Sequence, residues 1–270
     1  MTWLRMLLIL IGLTLVGAAA AGYYVVRWQQ SPLAVDGREL IVIERGEAFA
    51  HVAGRLHHRG VVDHPRLWTW LARLSGEARR VQAGEYEILA GDSPARVLRR
   101  FVDGEVVTYD VKLLEGWTAM QAVSELARHP ALTHSLEGVT VLTLLDVLGL
   151  PGGHAEGMFF PDTYHFVRGD SDADILRRAY VRMQSVLEEA WEGRDAGLPY
   201  ESPYEALIAA SLIEKETGRE GDRPLISQVF ALRLQRGMRL QTDPAVIYGL
   251  GDRFDGDLRR ADLRAPGPYN

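Results

Sequence analysis

The strongest constraint on this chain is an uncharged run near its start. Met6–Val26 reads MLLILIGLTLVGAAAAGYYVV, in which Thr14 is the clearly polar side chain. A helix rises about 1.5 Å per residue, so about 20 apolar residues cross a hydrocarbon core. Arg5 and Arg27 flank the run, and Tyr23, Tyr24 and Trp28 stand where interfacial aromatics belong. A secretory signal peptide accounts for part of the pattern, with Arg5 as its basic end, Met6–Val16 as its apolar core and Ala18–Ala20 as its cleavage site. The apolar residues that continue to Val26 favour a retained single-pass anchor. Either way the bulk of the chain is expected outside the cytoplasm, in water beside the membrane. With an arginine at each end of the run, charge bias decides orientation only weakly.

The rest of the chain exceeds one modal domain, and its expected class is α+β. The expected division is 1–27 as tip and transmembrane anchor, 28–37 as a polar linker bearing Pro and Gly, 38–107 as a small α+β module, and 108–270 as a mainly helical domain. In the module, Leu40–Ile43 and the alternating Gly84–Leu89 read as strands. Ala48–His58, Val61–Leu74 and a segment opening at Ser93-Pro94 read as helices, with Leu67, Trp68, Leu71 and Leu74 on one face of the second. Val106–Leu114 reads as a long strand. Beyond Trp117 the pattern turns helical, over Thr118–Arg128, Thr140–Leu148, Ser171–Trp191, Pro203–Thr217 and Asp222–Gln235, with a short helix at Pro244–Tyr248.

Several chemistries drop out. A net charge of -6 supplies no basic field for nucleic acid. With no Cys there is no disulfide, thiolate metal site, catalytic thiol or lipidated cysteine. His57-His58 lacks any metal-ligand spacing and reads as a solvated face, Gly149–Gly153 lacks the lysine of a phosphate loop, and Ser211 has no local histidine. No metal or cofactor is expected.

The most informative segment is Leu207–Thr217, LIAASLIEKET. Its first seven residues are nearly all apolar or small, which predicts a helix buried on most sides. Glu214 shares a face with Ala210 and Ser211. At the inner end of such a helix its carboxyl would be desolvated and could hold a proton near neutrality, as a general acid must. The same residue also reads as an exposed helix end paired with Lys215 or Arg219. Two further stretches, Glu156–Tyr164 and Met238–Tyr248, mix carboxylates, hydroxyls and rings. Such mixtures suit sugar binding, and packed turns use them equally.

Four ordered motifs carry a resemblance across essentially the whole chain: Leu114-Glu-Gly-Trp117, Glu156–Tyr164, Ile213-Glu-Lys-Glu-Thr217 and Gly237–Gly249. The chain resembles the endolytic murein transglycosylases of the bacterial inner membrane. The resemblance implies that 38–107 is a LysM-like glycan-binding module and 108–270 the catalytic domain, with Glu214 as the catalytic acid and base. The implied reaction cuts the MurNAc–GlcNAc β-1,4 bond within glycan strands and leaves a 1,6-anhydro-MurNAc end. Glu156, Asp162, Thr163, Tyr164, Ser211, Gln241, Thr242, Asp243 and Tyr248 are expected around the cleft, and Asp162 and Asp243 are the candidates to assist a hydrolytic alternative that uses water. A non-catalytic peptidoglycan-binding scaffold is the other alternative. Peptidoglycan strands, the membrane and peptidoglycan synthases are the expected partners. The chain departs from the family pattern at Leu232, where Asn is usual before Arg233-Leu234, and at Ala245, where Thr is usual. Family members also continue past the Pro-Tyr-Asn at Asn270, so the resemblance implies a catalytic domain lacking its last part.

Overall fold

The computed structural model describes residues 2–269, a mixture of helices and two small sheets. The elements run α1 (Thr2–Gln30), β1 (Arg38–Ile43), α2 (Phe49–His58), α3 (Pro65–Leu74), β2 (Gly84–Leu89), α4 (Pro94–Asp103), β3 (Thr108–Lys112), α5 (Ala119–Leu126), α6 (Leu144–Leu148), β4 (Thr163–Val167), α7 (Asp172–Glu192), α8 (Pro203–Glu216), α9 (Arg223–Gln235) and α10 (Asp243–Leu250). They fall into two compact units, Met1–Tyr109 with Val167–Gly169, and Asp110–Phe166 with Asp170–Asn270.

In the first unit β1 and β2 pair antiparallel, from Arg38 opposite Leu89 to Ile43 opposite Gly84. The two-residue side-chain period sends Ile41 and Ile43 inward from β1. They meet Val52 and Leu56 of α2, Trp68 of α3, Tyr86 and Ile88 of β2, and Val97 and Phe101 of α4 in one core. Ser93 caps α4 by accepting from the Arg96 amide, and Pro94 opens the helix where its missing N–H costs nothing. The helix over 61–74 expected from sequence is shorter, because Pro65 sets its first turn. Leu74, expected on the inward face, is 67% exposed.

Two buried carboxylates anchor this unit. Glu85 pairs with Arg168 at 3.0 Å and accepts the Tyr109 hydroxyl, tying segment 167–169 to β2. Asp92 accepts from the Leu89 amide at 2.8 Å and from Arg100 at 2.7 Å. The 28–37 stretch, expected as a polar linker, is ordered against the same core. Helix α1 continues to Gln30, Trp28 and Leu33 are buried in the core, and the Leu33 amide donates to the Asp92 carbonyl. Among the described residues α1 is the helix long and apolar enough to cross a membrane.

In the second unit Leu126, Leu144, Leu145, Phe166, Ile175, Leu176 and Ala179 are buried. Ser171 and Asp174 form a reciprocal capping box at the start of α7. Buried Asp172 accepts from the Ser135 amide and hydroxyl and from the Leu136 amide, which staples the 133–136 loop to that helix. β4 pairs with β3. This strand lay hidden in the aromatic 157–167 stretch, whose turn residues mask the alternation. The helix expected over 140–148 is confined to Leu144–Leu148, because Thr140–Thr143 close a turn.

Burial alone would push the Asp92 carboxyl up, but the Arg100 and Leu89 hydrogen bonds and the charges of Arg100 and Arg96 bring it below the usual carboxylate range. In the unfolded chain an Asp titrates near 3.9. With the folded value lower, the stabilisation is present above about pH 4 and is lost as pH falls through the folded value. Asp92→Asn should therefore cost about 1–3 kcal/mol at neutral pH and shrink that deficit towards pH 3, measured by urea unfolding in detergent.

Candidate active site

The site grows from α8. Ser202 caps its start through the Glu205 amide, and Pro203 occupies the first turn. The expectation of a helix buried on most sides does not hold. Ala209 is its buried residue, while Tyr204, Ile208 and Ser211 are exposed. Composition could not reveal this, since an apolar helix is buried only where other elements cover it.

Glu214 sits in the last turn of α8 with its side chain 32% exposed, and its Oε2 accepts from Arg223 at 2.9 Å. The enclosure assumed for a desolvated acid is thus absent. The ion pair expected for a helix end is present, but its partner is Arg223 rather than Lys215 or Arg219. Arg223 leads α9, which the 217–222 turn folds back onto α8. Sequence spacing gave no signal for this residue, because nine positions and a turn separate the partners.

Three other motifs close on the same helix or on each other. Gly116, in the Leu114–Trp117 motif, holds a φ of +72°, and a Cβ there would stand 3.6 Å from Lys215 Nζ and 3.9 Å from Glu214 Cγ. Gly157, φ +76°, lies against Leu207 at 3.5 Å by the same measure. Glu156 accepts from the Ala119 amide at 2.8 Å, at the first turn of α5, where a negative charge complements the helix dipole. The charge of Glu156 also acts on the Tyr248 hydroxyl of α10. Tyr248 titrates far above an ordinary tyrosine, first through burial and then through the charge of Glu156, so its hydroxyl stays a donor. Tyr248 is flanked by the rings of Tyr269 at 5.3 Å and His154 at 6.3 Å, two neighbours that sequence reading missed.

The remaining expected residues divide. Thr242 is buried and caps α10 by accepting from the Ala245 amide, so the departure at Ala245 leaves this cap intact. Asp243 is exposed in the first turn of α10. Gln241 has a φ of +56°, the one positive value outside glycine among the described residues. Arg233 donates to the carbonyls of Leu240 and Arg239 and so holds this turn, a role its motif position alone did not disclose. The Ser211 hydroxyl donates to its own helix at Ile208. Asp162 accepts from the amides of Leu113 and Thr163, through its carbonyl and its carboxylate, and Thr163 opens β4. Tyr164 is buried, its hydroxyl donates to the Phe160 carbonyl, and burial followed by the charge of Asp162 pushes it up to about 12. The bonds of these last four serve local structure rather than Glu214.

An open groove of about 470 Å³ lies beside the Leu114–Trp117 motif, lined by Asp110, Lys112, Trp117, Glu125, Arg128 and His129 among others. Glu214 is not part of its lining. Among the described residues no group of His, Asp and Glu is arranged to hold a metal ion.

The YceG-like family model matches residues 41–270. A curated relative named endolytic murein transglycosylase, from Bacillus subtilis (strain 168), is 26% identical over 247 residues, covering 85% of this chain and 68% of its own length. A protein of the same name from Streptococcus pneumoniae serotype 2 is 25% identical over 92% of this chain, which spans about half of that relative's length (51%). A crystal structure of a yceG-like protein from Listeria monocytogenes is 22% identical, with a TM-score of 0.44, over 87% of this chain and 82% of that one.

The positive φ of Gln241 should cost about 1–3 kcal/mol. Gln241→Gly should accordingly stabilise the protein by about 1 kcal/mol after the extra chain entropy of glycine, read by chemical unfolding. An unchanged or lower stability would mean that the glutamine side chain repays the strain.

Proposed function

The chain belongs to the YceG-like family, and from that premise we propose that it is a membrane-anchored endolytic transglycosylase of peptidoglycan. The observation that carries this reading is the meeting of the motifs at α8: Gly116 against Glu214 and Lys215, and Gly157 against Leu207, with Tyr248 under the charge of Glu156. The names of the relatives from Bacillus subtilis and Streptococcus pneumoniae support the substrate class. Helix α1 would be the single-pass anchor, with the remainder on the outer side of the cytoplasmic membrane.

In this reading Glu214 protonates the oxygen that leaves C1 of the muramyl sugar. It then takes the proton of the muramyl O6 hydroxyl as that oxygen attacks C1, closing the 1,6-anhydro ring. One carboxylate serves both steps because the substrate brings its own nucleophile. Ordinary glycosidases need a second carboxylate to activate water or attack the sugar. Glu156 is committed to the Ala119 amide, which suits a shaping rather than a proton-transferring role. Arg223 would steady Glu214 between turnovers. Tyr248, Gln241 and Asp243 would line the sugar path, with buried Thr242 holding the start of α10 beneath them and Asp162, Thr163, Tyr164 and Ser211 behind it. The module over 38–107 would bind glycan in the LysM manner, and synthases of the same polymer would be its partners.

The Arg223–Glu214 pair also favours a second reading, a non-catalytic glycan-binding scaffold in which the pair merely closes a helix end. Glu214→Gln separates the two. The enzyme reading expects glycan cleavage to fall by about 10²–10⁴-fold, the loss typical of a general acid. The melting temperature should move by less than about 2 °C, because a half-exposed ion pair contributes little. Mass spectrometry of the wild-type products should find anhydro-muramyl ends. Reducing ends would mean a water-using hydrolase, and uncut strands with retained binding would leave the scaffold.

A further inference from the structure

Helix α3 has one face in the core and another that nothing in the first unit covers. Trp68, Thr69 and Ala72 are buried, and Trp68 packs edge-on against Phe49 with ring centres 4.9 Å apart. On the outward face Trp70 is 58% and Leu74 67% exposed, with exposed Arg66 and Arg73 beside them at helical spacing. Single exposed apolar side chains are ordinary on soluble proteins. Here a tryptophan and a leucine share a face with two arginines.

The placement of this helix identifies a partner. His64, the residue that caps the start of α3, shares a hydrogen bond of 2.8 Å with the Tyr24 hydroxyl of α1. Its ring also stands 5.9 Å from that of Trp28. Tyr24 and Trp28 close the apolar run of α1, so α3 begins where that run ends. From His64 to Leu74 the axis rises about 15 Å, so Trp70 and Leu74 lie within about 15 Å of that end of the run. The chain carries a net -6, yet residues 63–80 hold Arg66, Arg73, Arg79 and Arg80 against Asp63 and Glu77. Tryptophan prefers the membrane–water boundary, and arginine stems lie along apolar surface while their heads reach phosphate.

We propose that the outward face of α3, with Trp70 and Leu74 framed by Arg66 and Arg73, rests on the anionic phospholipid surface of the bilayer that α1 crosses. The proposal rests on the reading of α1 as a membrane span. It makes the first unit a body held flat at two points, the helix and this face.

The chain has no cysteine, so Leu74→Cys gives a unique site for an environment-sensitive fluorophore in the full chain. Leu10→Cys in α1 and Val181→Cys on α7 serve as references. The labelled proteins are reconstituted in vesicles of equimolar phosphatidylcholine and phosphatidylglycerol that carry a bilayer-embedded quencher. Quenching is expected at 74 and at 10, and not at 181. Adding Arg66→Gln and Arg73→Gln should lower the docked-to-undocked ratio at 74 roughly thirty-fold, because each arginine near an anionic surface counts for about five-fold. Quenching at 10 should be unaffected, and the loss should vanish in pure phosphatidylcholine. Quenching at 10 without quenching at 74 overturns the docked face and leaves the span intact. No quenching at 10 overturns the span and the proposal with it. Equal quenching at 181 makes the contact non-specific and overturns the proposal. So does release of the label at 74 by soluble glycan strands, which would make Trp70 a sugar platform.

Discussion

One carboxylate organises the second unit. Glu156 accepts from the backbone at the start of α5, and its charge acts on the hydroxyl of Tyr248 on α10. A charged acceptor makes the amide bond stronger than a neutral one, about 1.5–3 kcal/mol rather than about 1. It also fixes geometry, since the Leu114–Trp117 turn leads directly into α5 and the next residue, Gly157, lies on Leu207. Segments far apart in the chain are thereby brought to α8, the helix that carries Glu214 in its last turn. Removing this carboxylate would release the start of α5, which is why it reads as architecture beside the chemistry rather than as a second acid.

The glycines of these motifs have a related logic. Gly116 and Gly157 both hold positive φ, a conformation that costs other residues about 1–2 kcal/mol. Each also stands where backbone comes close to α8. Turn shape and close approach thus coincide at the same two positions, and together they set how near the loops come to the carboxylate.

Much of the first unit was legible in the sequence. The short β-type run Leu40–Ile43, the alternation of Gly84–Leu89 and the helical spacing of Val97, Leu98 and Phe101 each belong to an element that the structure buries. The starts of α4 at Ser93-Pro94 and of α5 at Thr118 were visible too, since the relevant bonds are local. What escaped was non-local. The strand at Thr163–Val167 needs β3 to define it, and the partnership of Glu214 with Arg223 needs the 217–222 turn. Leu33 looks like linker until Asp92 supplies its backbone partner. The candidate site was legible as four motifs, but not which members touch. Tyr164 and Ser211 carry the right chemistry and spend their hydroxyls on backbone carbonyls.

The continuity of α1 with a folded core has a mechanical consequence. A helix that ends in flexible chain can lean in a bilayer without disturbing what it carries. This one has no such slack, because Trp28 and Leu33 are packed among the residues of the first unit. Hydrophobic mismatch makes a long span tilt in a thin bilayer and stand upright in a thick one. If α1 spans a bilayer, its tilt and the seating of the first unit become one variable, and membrane thickness would act on both at once.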